Sequence, residues 1–298
     1  MEVKEDGKII VQSLIGSLQL PFYLRCLKSL IGFCQERIDL QLQTDGSLSQ
    51  EDKDVIHSEL DGTMVTITDS SENTNRVLDW LQGRPNCQKV RKDSIWGIEF
   101  FDPIFAFPED PISFYLDADI LFLRPFSGLF DRDQVQNGAV FLKDTQWDAY
   151  TFRPWQMITG KIKPQAVQGI TTGLVFWDKT AIDWDYLEWF LGEHRLHQIP
   201  EWVMPTAQAG LANRCKAKTI SPRQITNLYP NARIYKDTFG VHLLGSYRNE
   251  WMEKLETREK KENLPILAPS FERCVSQNIF GYSLRQMRRW KNTRLNLW

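Results

Sequence analysis

FYLDADILFLRPF, from Phe114 to Phe126, sets two acids at the end of an apolar run that has the length and composition of a buried strand. Alternate strand residues project to one face, so Asp117 and Asp119 converge while Ala118 points away. Charge at the end of a buried strand is costly unless it is paired or bound to metal. In open α/β sheets, the carboxyl ends of strands are where ligands bind. Two hard oxygen donors with open coordination positions suit Mg²⁺ or Mn²⁺, ions commonly shared with substrate phosphates. The competing account, two solvated acids in a surface turn, is the ordinary one for a bare D-x-D. The context argues against it: Ile120 to Leu123 follows, where a surface turn would show Gly, Asn, Ser or Pro.

Working back toward the amino terminus, strand and helix patterns alternate. Ile9 to Leu14 reads as a strand, and apolar residues at Leu20, Leu24, Leu27, Leu30 and Ile31 mark a helix. Ile38 to Gln43 is a second strand, closed by Thr44, Asp45 and Gly46. Ser49, Glu51 and Asp52 open a charged helix to Leu60, Met64 to Thr68 is a third strand, and Val77, Leu78 and Leu81 mark the next helix. This order predicts an α/β fold, Rossmann-like, with a mostly parallel central sheet flanked by helices. The loop after the first strand and the Thr44, Asp45 turn would share the carboxyl edge with the two acids.

Composition is that of an ordinary globular chain: 298 residues, 42% hydrophobic, formal net charge -2. Nothing in that balance calls for nucleic acid. Five Cys without a C-x-x-C pair argue for reduced thiols and against a zinc site. MEVKEDGK at the start lacks the apolar core of a signal peptide, and no stretch reaches the roughly 18 apolar residues of a spanning helix. A cytoplasmic location is expected.

GVHLLGSYR, Gly240 to Arg248, holds His242, the one histidine of four that lies between an apolar pair and a glycine followed by a basic residue. Imidazole is a common metal ligand, although a lone His is more often structural. Gly245 lets the backbone approach a phosphate closely, and the Arg248 guanidinium matches phosphate oxygens. Between the two motifs lies GITTGLVFW, Gly169 to Trp177, with Thr172 and Gly173 at its polar positions.

Together these segments resemble GT-A fold glycosyltransferases with a D-x-D motif, most closely those of the family 8 type, over about residues 110 to 250. YLDADIL is similar to their D-x-D strand, GVHLLGSYR to their H-x-x-G-x-x-K segment, and GITTGLVFW to their N-S-G strand. The resemblance implies Asp117, Asp119 and His242 as ligands of Mn²⁺ or Mg²⁺ on a nucleotide-sugar diphosphate, with a UDP-linked donor. It further implies a cofactor-binding set of Ser13, Asp45, Lys92, Thr172, Gly173, Gly245 and Arg248. Asp45 faces the nucleobase in that scheme, and Lys92, on the helix before the D-x-D strand, faces the diphosphate. Both also have plain alternatives, a turn for Asp45 and a solvated surface position for Lys92. Arg248 replaces the usual Lys.

PTAQAGLAN, Pro205 to Asn213, carries Gln208 without the acid the family often places beside it. The catalytic set is therefore Asp117, Asp119, Gln208 and Asp148, with Asp144 and Glu201 as further carboxylates should an inverting reaction need a base. Trp147, Asp148 and Tyr150 follow the predicted strand Gly138 to Lys143, in a loop suited to a sugar, whose apolar faces stack on aromatics. Most of the eleven Trp, including Trp184 and Trp189, are expected to pack in the core.

Residues 1–250 are expected to form the transferase domain, and residues 251–298 a charged and basic helical extension. Arg285, Arg288, Arg289, Lys291 and Arg294 carry no acid among them and are interleaved with Met287, Trp290, Leu295 and Trp298. Packing on the core explains that pattern, as does peripheral contact with an anionic inner membrane face. A phosphatase of the haloacid dehalogenase type fits less well, since Leu121 stands where Thr or Val belongs. A nucleotidyltransferase would need a glycine-rich basic loop where this chain reads LIGSLQLP. A sugar-binding protein without catalysis is the other alternative.

Overall fold

The computed structural model describes residues 9–145, 150–159, 163–256 and 264–295. The amino-terminal half runs β1 (Ile9–Ile15), α1 (Leu20–Phe33), β2 (Ile38–Thr44), α2 (Gln50–Glu59), β3 (Val65–Asp69), α3 (Ser70–Trp80), α4 (Pro85–Asp93), α5 (Ile95–Ala106) and β4 (Ile112–Leu116). Then follow β5 (Ile120–Phe122), α6 (Arg132–Val135), β6 (Gly138–Lys143), β7 (Ile170–Asp178), α7 (Trp184–Gly192), α8 (Val203–Ala212) and β8 (Lys216–Ile220). Last come β9 (Ile225–Asn227), β10 (Gly240–His242), α9 (Arg248–Glu256), β11 (Phe271–Arg273) and α10 (Ile279–Leu295).

Local chemistry sets the early boundaries. In α1 the buried Leu20, Leu24, Leu27 and Leu30 recur at helical spacing behind Pro21 in the first turn. Ser49 and Asp52 close a capping box on α2. The expected elements of the first eighty residues are all present, with ends shifted by a residue or so.

Eight strands form the main sheet in the order β11-β8-β6-β7-β4-β1-β2-β3. β1 pairs in parallel with β2 and β4, and β2 with β3, so the carboxyl ends of all four lie at one edge. β7 runs antiparallel between β4 and β6. Its beginning therefore reaches that same edge, beside the end of β6. Helices cover both faces. Val11, Leu40, Leu42, Phe114 and Phe176 pack under α1 and α2, whereas Phe141, Val175 and Trp177 pack under α5, α7 and α8. Trp184 and Trp189 pack against this second cluster, as expected of core tryptophans. Chain beyond residue 250, expected as an extension, returns to the sheet: β11 pairs antiparallel with β8.

A second, three-stranded sheet, β5-β10-β9, stands at the edge where β4 ends. It grows from the apolar Ile120 to Phe122 run directly after the two acids.

α5 is held against its neighbours by a buried ion pair. Arg91 of α4 donates from Nη2 to Asp102 Oδ2 at 2.8 Å and to the Ser70 carbonyl at 2.9 Å, and from Nε to Asp102 Oδ1. Gly97 lets α4 and α5 touch backbone to backbone, since a Cβ there would stand 2.3 Å from the Val90 carbonyl oxygen. Removing one partner of a buried pair strands the other charge. Asp102→Ala is expected to lower stability by about 3–5 kcal/mol in urea unfolding; a loss under 1 kcal/mol would show the pair to be dispensable.

Candidate functional site

Asp117 and Asp119 sit in the tight turn between β4 and β5, closed by the Ile120 N–H donating to the Asp117 carbonyl at 3.2 Å. The Asp117 N–H donates to Gly173 at the start of β7, at 2.8 Å. His242 arrives from β10, whose register sets it opposite Ile120. Leu243 then donates to the Asp119 carbonyl at 3.0 Å. Two segments separated by more than a hundred residues are thus locked side by side by backbone pairing.

The three side chains share one arrangement: one polar atom of each is tied down and the other faces its neighbours. Asp117 accepts from the Tyr115 hydroxyl at Oδ1, 2.9 Å. Asp119 accepts from Arg248 Nη2 at Oδ2, 2.8 Å. His242 Nδ1 lies 3.0 Å from Asn227 Oδ1. Asn227 Nδ2 donates to the Lys143 carbonyl at 3.4 Å, which orients the amide so that His242 Nδ1 is the donor and Nε2 is left with its lone pair. Nε2 stands 3.1 Å from Asp119 Oδ1 and 3.8 Å from Asp117 Oδ2. Asp119 Oδ1 is buried and has no hydrogen bond of its own.

Three acceptors face one another, with ligand atoms all within 4.8 Å. Such a set needs a cation or a shared proton at its centre. The donor types, two carboxylates and an imidazole with its outer nitrogen fixed, fit a divalent ion. The charge balance carries the same strain. Burial, and then Asp119, push Asp117 up to about 7. Burial would lower His242, but Asp119 and Asp117 outweigh it and raise the imidazole. Burial would raise Asp119, yet His242 and Arg248 hold it below the usual carboxylate range.

Gly173 is in contact with this centre: a Cβ there would lie 2.5 Å from His242 Cε1. Arg248, the first residue of α9, lies over the Phe22 ring with its guanidinium carbon 4.3 Å from the centroid. Gly245 is exposed, with open space where a Cβ would be.

The remaining sequence-derived positions scatter. Asp45 lies on the same edge, in a turn where Oδ1 accepts from the Ser47 N–H at 3.0 Å, and it packs on Gly16. Ser13 is buried and donates to the Leu116 carbonyl at 2.6 Å, so its hydroxyl steadies the end of β4 from inside the sheet. Lys92 is exposed on α4, and α5 intervenes before the D-x-D strand. Gln208 is buried on α8 with Oε1 lacking a partner. Asp144, at the end of β6, accepts from the Tyr229 hydroxyl at 2.8 Å. Asp148 and Trp147 lie outside the described residues.

The sequence does not single out three residues that matter here: Asn227, Tyr115 and Glu99. Glu99 stands on α5 within IWGIEFFDPIFA, and an acid in so apolar a helix, besides the Asp102 that Arg91 pairs, was the available signal. Burial, and then the charges of Asp117 and Asp119, push its carboxyl well above the usual range, while a hydrogen bond from Thr172 works against them. Pro103, four residues on, lacks the N–H that would bond the Glu99 carbonyl and loosens the helix there.

No protein-family profile matches the chain, and no curated protein matches it. Among solved structures it is similar to mouse xyloside xylosyltransferase 1 in its apo form, with TM-score 0.53 and 12% identity over 79% of this chain and 97% of that one. It is also similar to the galactosyltransferase LgtC, solved with donor and acceptor sugar analogues, with TM-score 0.53 and 11% identity over 86% and 98%. The bifunctional glycosyltransferase WbbM gives TM-score 0.50 and 9% identity over 86% of this chain and 51% of that one. At such identities the likeness is one of fold, and the fold is that of GT-A glycosyltransferases, as the sequence motifs imply.

Because a Cβ at residue 173 would push into the imidazole, Gly173→Ala is expected to weaken binding of a divalent ion at this group by about 10–100-fold, the range for misoriented ligands. Calorimetric titration of Mn²⁺ checks this, and equal affinities in the two proteins would place the ion elsewhere.

Proposed function

We propose that the protein is a metal-dependent glycosyltransferase that moves a sugar from a nucleotide-diphosphate donor, UDP-linked, to a hydroxyl acceptor. One observation carries this proposal: Asp117, Asp119 and His242 turn their untied ligand atoms toward a common centre at the carboxyl edge of a GT-A sheet. Those three side chains hold Mn²⁺ or Mg²⁺. When bound, the ion supplies positive charge where the diphosphate leaving group gathers negative charge.

The chain's own residues do the rest. Arg248, pinned by Phe22 and Asp119, keeps further guanidinium donors for the phosphates. The open backbone at Gly245 lets them come near. Order along the sheet edge divides the cleft in two. Asp45 and Gly16, at the ends of β2 and β1, flank the acids on one side and suit the nucleoside. Thr172 and Gly173 at the start of β7, with Asp144 at the end of β6, flank them on the other and suit the sugar. Tyr115 and Asn227 act by orienting the ligands they bond. Gln208 and Asp148 are assigned to the donor sugar in this scheme, whereas the Ser13 hydroxyl is committed to the Leu116 carbonyl and Lys92 is exposed on α4.

The wider assignment is a bacterial, cytoplasmic enzyme of glycan or glycolipid synthesis. No described helix is long and apolar enough to cross a membrane. Phe280, Leu284 and Met287 are exposed on α10, beside a basic sequence without acids. That combination supports peripheral contact with an anionic bilayer. A nucleotidyltransferase would need the glycine-rich basic loop that LIGSLQLP does not supply, and a non-catalytic sugar-binding protein would leave the metal triad without a donor to cleave.

Incubated with Mn²⁺ and a panel of nucleotide sugars, the protein is expected to release nucleotide slowly by hydrolysis. Asp119→Asn should cut this by about 10²-fold or more, as loss of a preorganised electrostatic group does, with a melting temperature near that of the wild type. EDTA should act likewise on the wild type. Metal-independent release, or full activity in the variant, refutes the assignment.

A further inference from the structure

We propose that Glu99, seated between Thr172 and Gln208, is the carboxylate that recognises the transferred sugar by accepting hydrogen bonds from its hydroxyls. This rests on the glycosyltransferase assignment above and adds a residue of α5 to it. The family pattern leads one to look for this acid in the chain next to Gln208, and none is there. The fold brings one from elsewhere.

Four observations converge. Glu99 is recessed, yet part of its surface is reached by solvent, so a ligand can touch it. The Thr172 hydroxyl, on the sugar side of the acids, stands beside it and favours its charged form. That hydroxyl is placed by an irregularity in β7, whose pairing with β6 jumps from Val175 opposite Phe141 to Thr171 opposite Leu142. Bulges of this kind re-aim side chains beside functional sites. Finally, Glu99 and Gln208 line one cavity of about 10 Å³, together with Tyr115 and Trp177.

Gln208 is 2% exposed with its Oε1 unpartnered, and Trp177 is 1% exposed with its Nε1 unpartnered. Buried polar atoms left without partners are rare, and each calls for a ligand or a water. A cavity of this size admits one water or one hydroxyl, far less than a pyranose ring. The ring therefore lies over Thr172 and Gly173 and directs a single hydroxyl inward. There the hydroxyl donates to Glu99 or Gln208 and accepts from the Trp177 N–H. Glu99 offers carboxyl oxygens to that hydroxyl and Gln208 an amide oxygen. Tyr115 lines the same cavity and donates to Asp117, so the sugar contact and the metal ligand share a wall. A site built this way rejects a sugar lacking the matching hydroxyl, because its buried acceptors are left unpaired.

Two measurements on the full-length protein test this. The first is affinity for UDP and for GDP with Mn²⁺. The second is kcat/KM for hydrolysis of UDP-glucose, UDP-galactose, UDP-N-acetylglucosamine, UDP-xylose and GDP-mannose. Glu99→Gln is expected to keep nucleotide affinity within about two-fold while losing at least ten-fold in kcat/KM for the preferred sugar, and less for the others. The preference among sugars then flattens. Should Glu99→Gln fail to fold, Glu99→Asp, which keeps the acid but draws its carboxyl back, is expected to flatten the same preference to a smaller degree. An unchanged ranking in whichever variant folds overturns the role of Glu99 and leaves the metal site standing. A wild type that binds neither nucleotide with Mn²⁺ and hydrolyses no member of the panel overturns the glycosyltransferase assignment itself, and this inference with it.

Discussion

Asp117, Asp119 and His242 each spend one polar atom on a fixed neighbour and leave the other facing inward. Acceptors so arranged repel, and repulsion between buried groups is tolerable only where a cation belongs. The surrounding architecture serves to hold this unfavourable grouping in place. At the end of β4 the Asp117 N–H is bonded to Gly173 and the Leu116 carbonyl to Ser13. The three-stranded sheet exists at the site's margin, and its registers put His242 opposite Ile120 on one side and Asn227 on the other. Gly173 is where a side chain would displace the imidazole.

Electrostatics around the centre is uneven in a useful way. Arg248 and the imidazole hold Asp119 ionised, while Asp117, bonded only by a neutral tyrosine, is left near 7 by burial and by its neighbour's charge. Glu99 adds a third carboxylate to the same region from the helical layer behind the sheet. One guanidinium is little counter-charge for three acids in a recessed place. That imbalance fits a site meant to receive a divalent ion together with a ligand rich in hydroxyls.

Much of this could be read from the residues. The early strands and helices are legible because their apolar spacing is clean, and the acid pair because it interrupts an apolar stretch that has no other reason to carry charge. His242 stands out by its flanking glycine and arginine. What escapes the sequence depends on tertiary pairing. Asn227 is an unremarkable amide until β9 lies beside β10. Glu99 looks like one of two acids on an apolar helix until the fold sets Gln208 across a cavity from it. Ser13 lies at the correct edge but faces β4, which uses up its hydroxyl. Lys92 belongs to a helix one step removed from where its spacing suggested. Strand-to-strand register, the bulge in β7 and the direction of a side chain at a strand end are set by contacts distant in the chain.

The pairing of β5 with β10 also bears on when the protein becomes competent during its synthesis. The acids emerge from the ribosome with the first half of the chain, but the imidazole and the guanidinium follow more than a hundred residues later, from the last strand of the small sheet and the helix after it. Until then the nascent polypeptide carries two exposed aspartates and no assembled centre. A product truncated before β10 would carry both aspartates without the imidazole that completes the group.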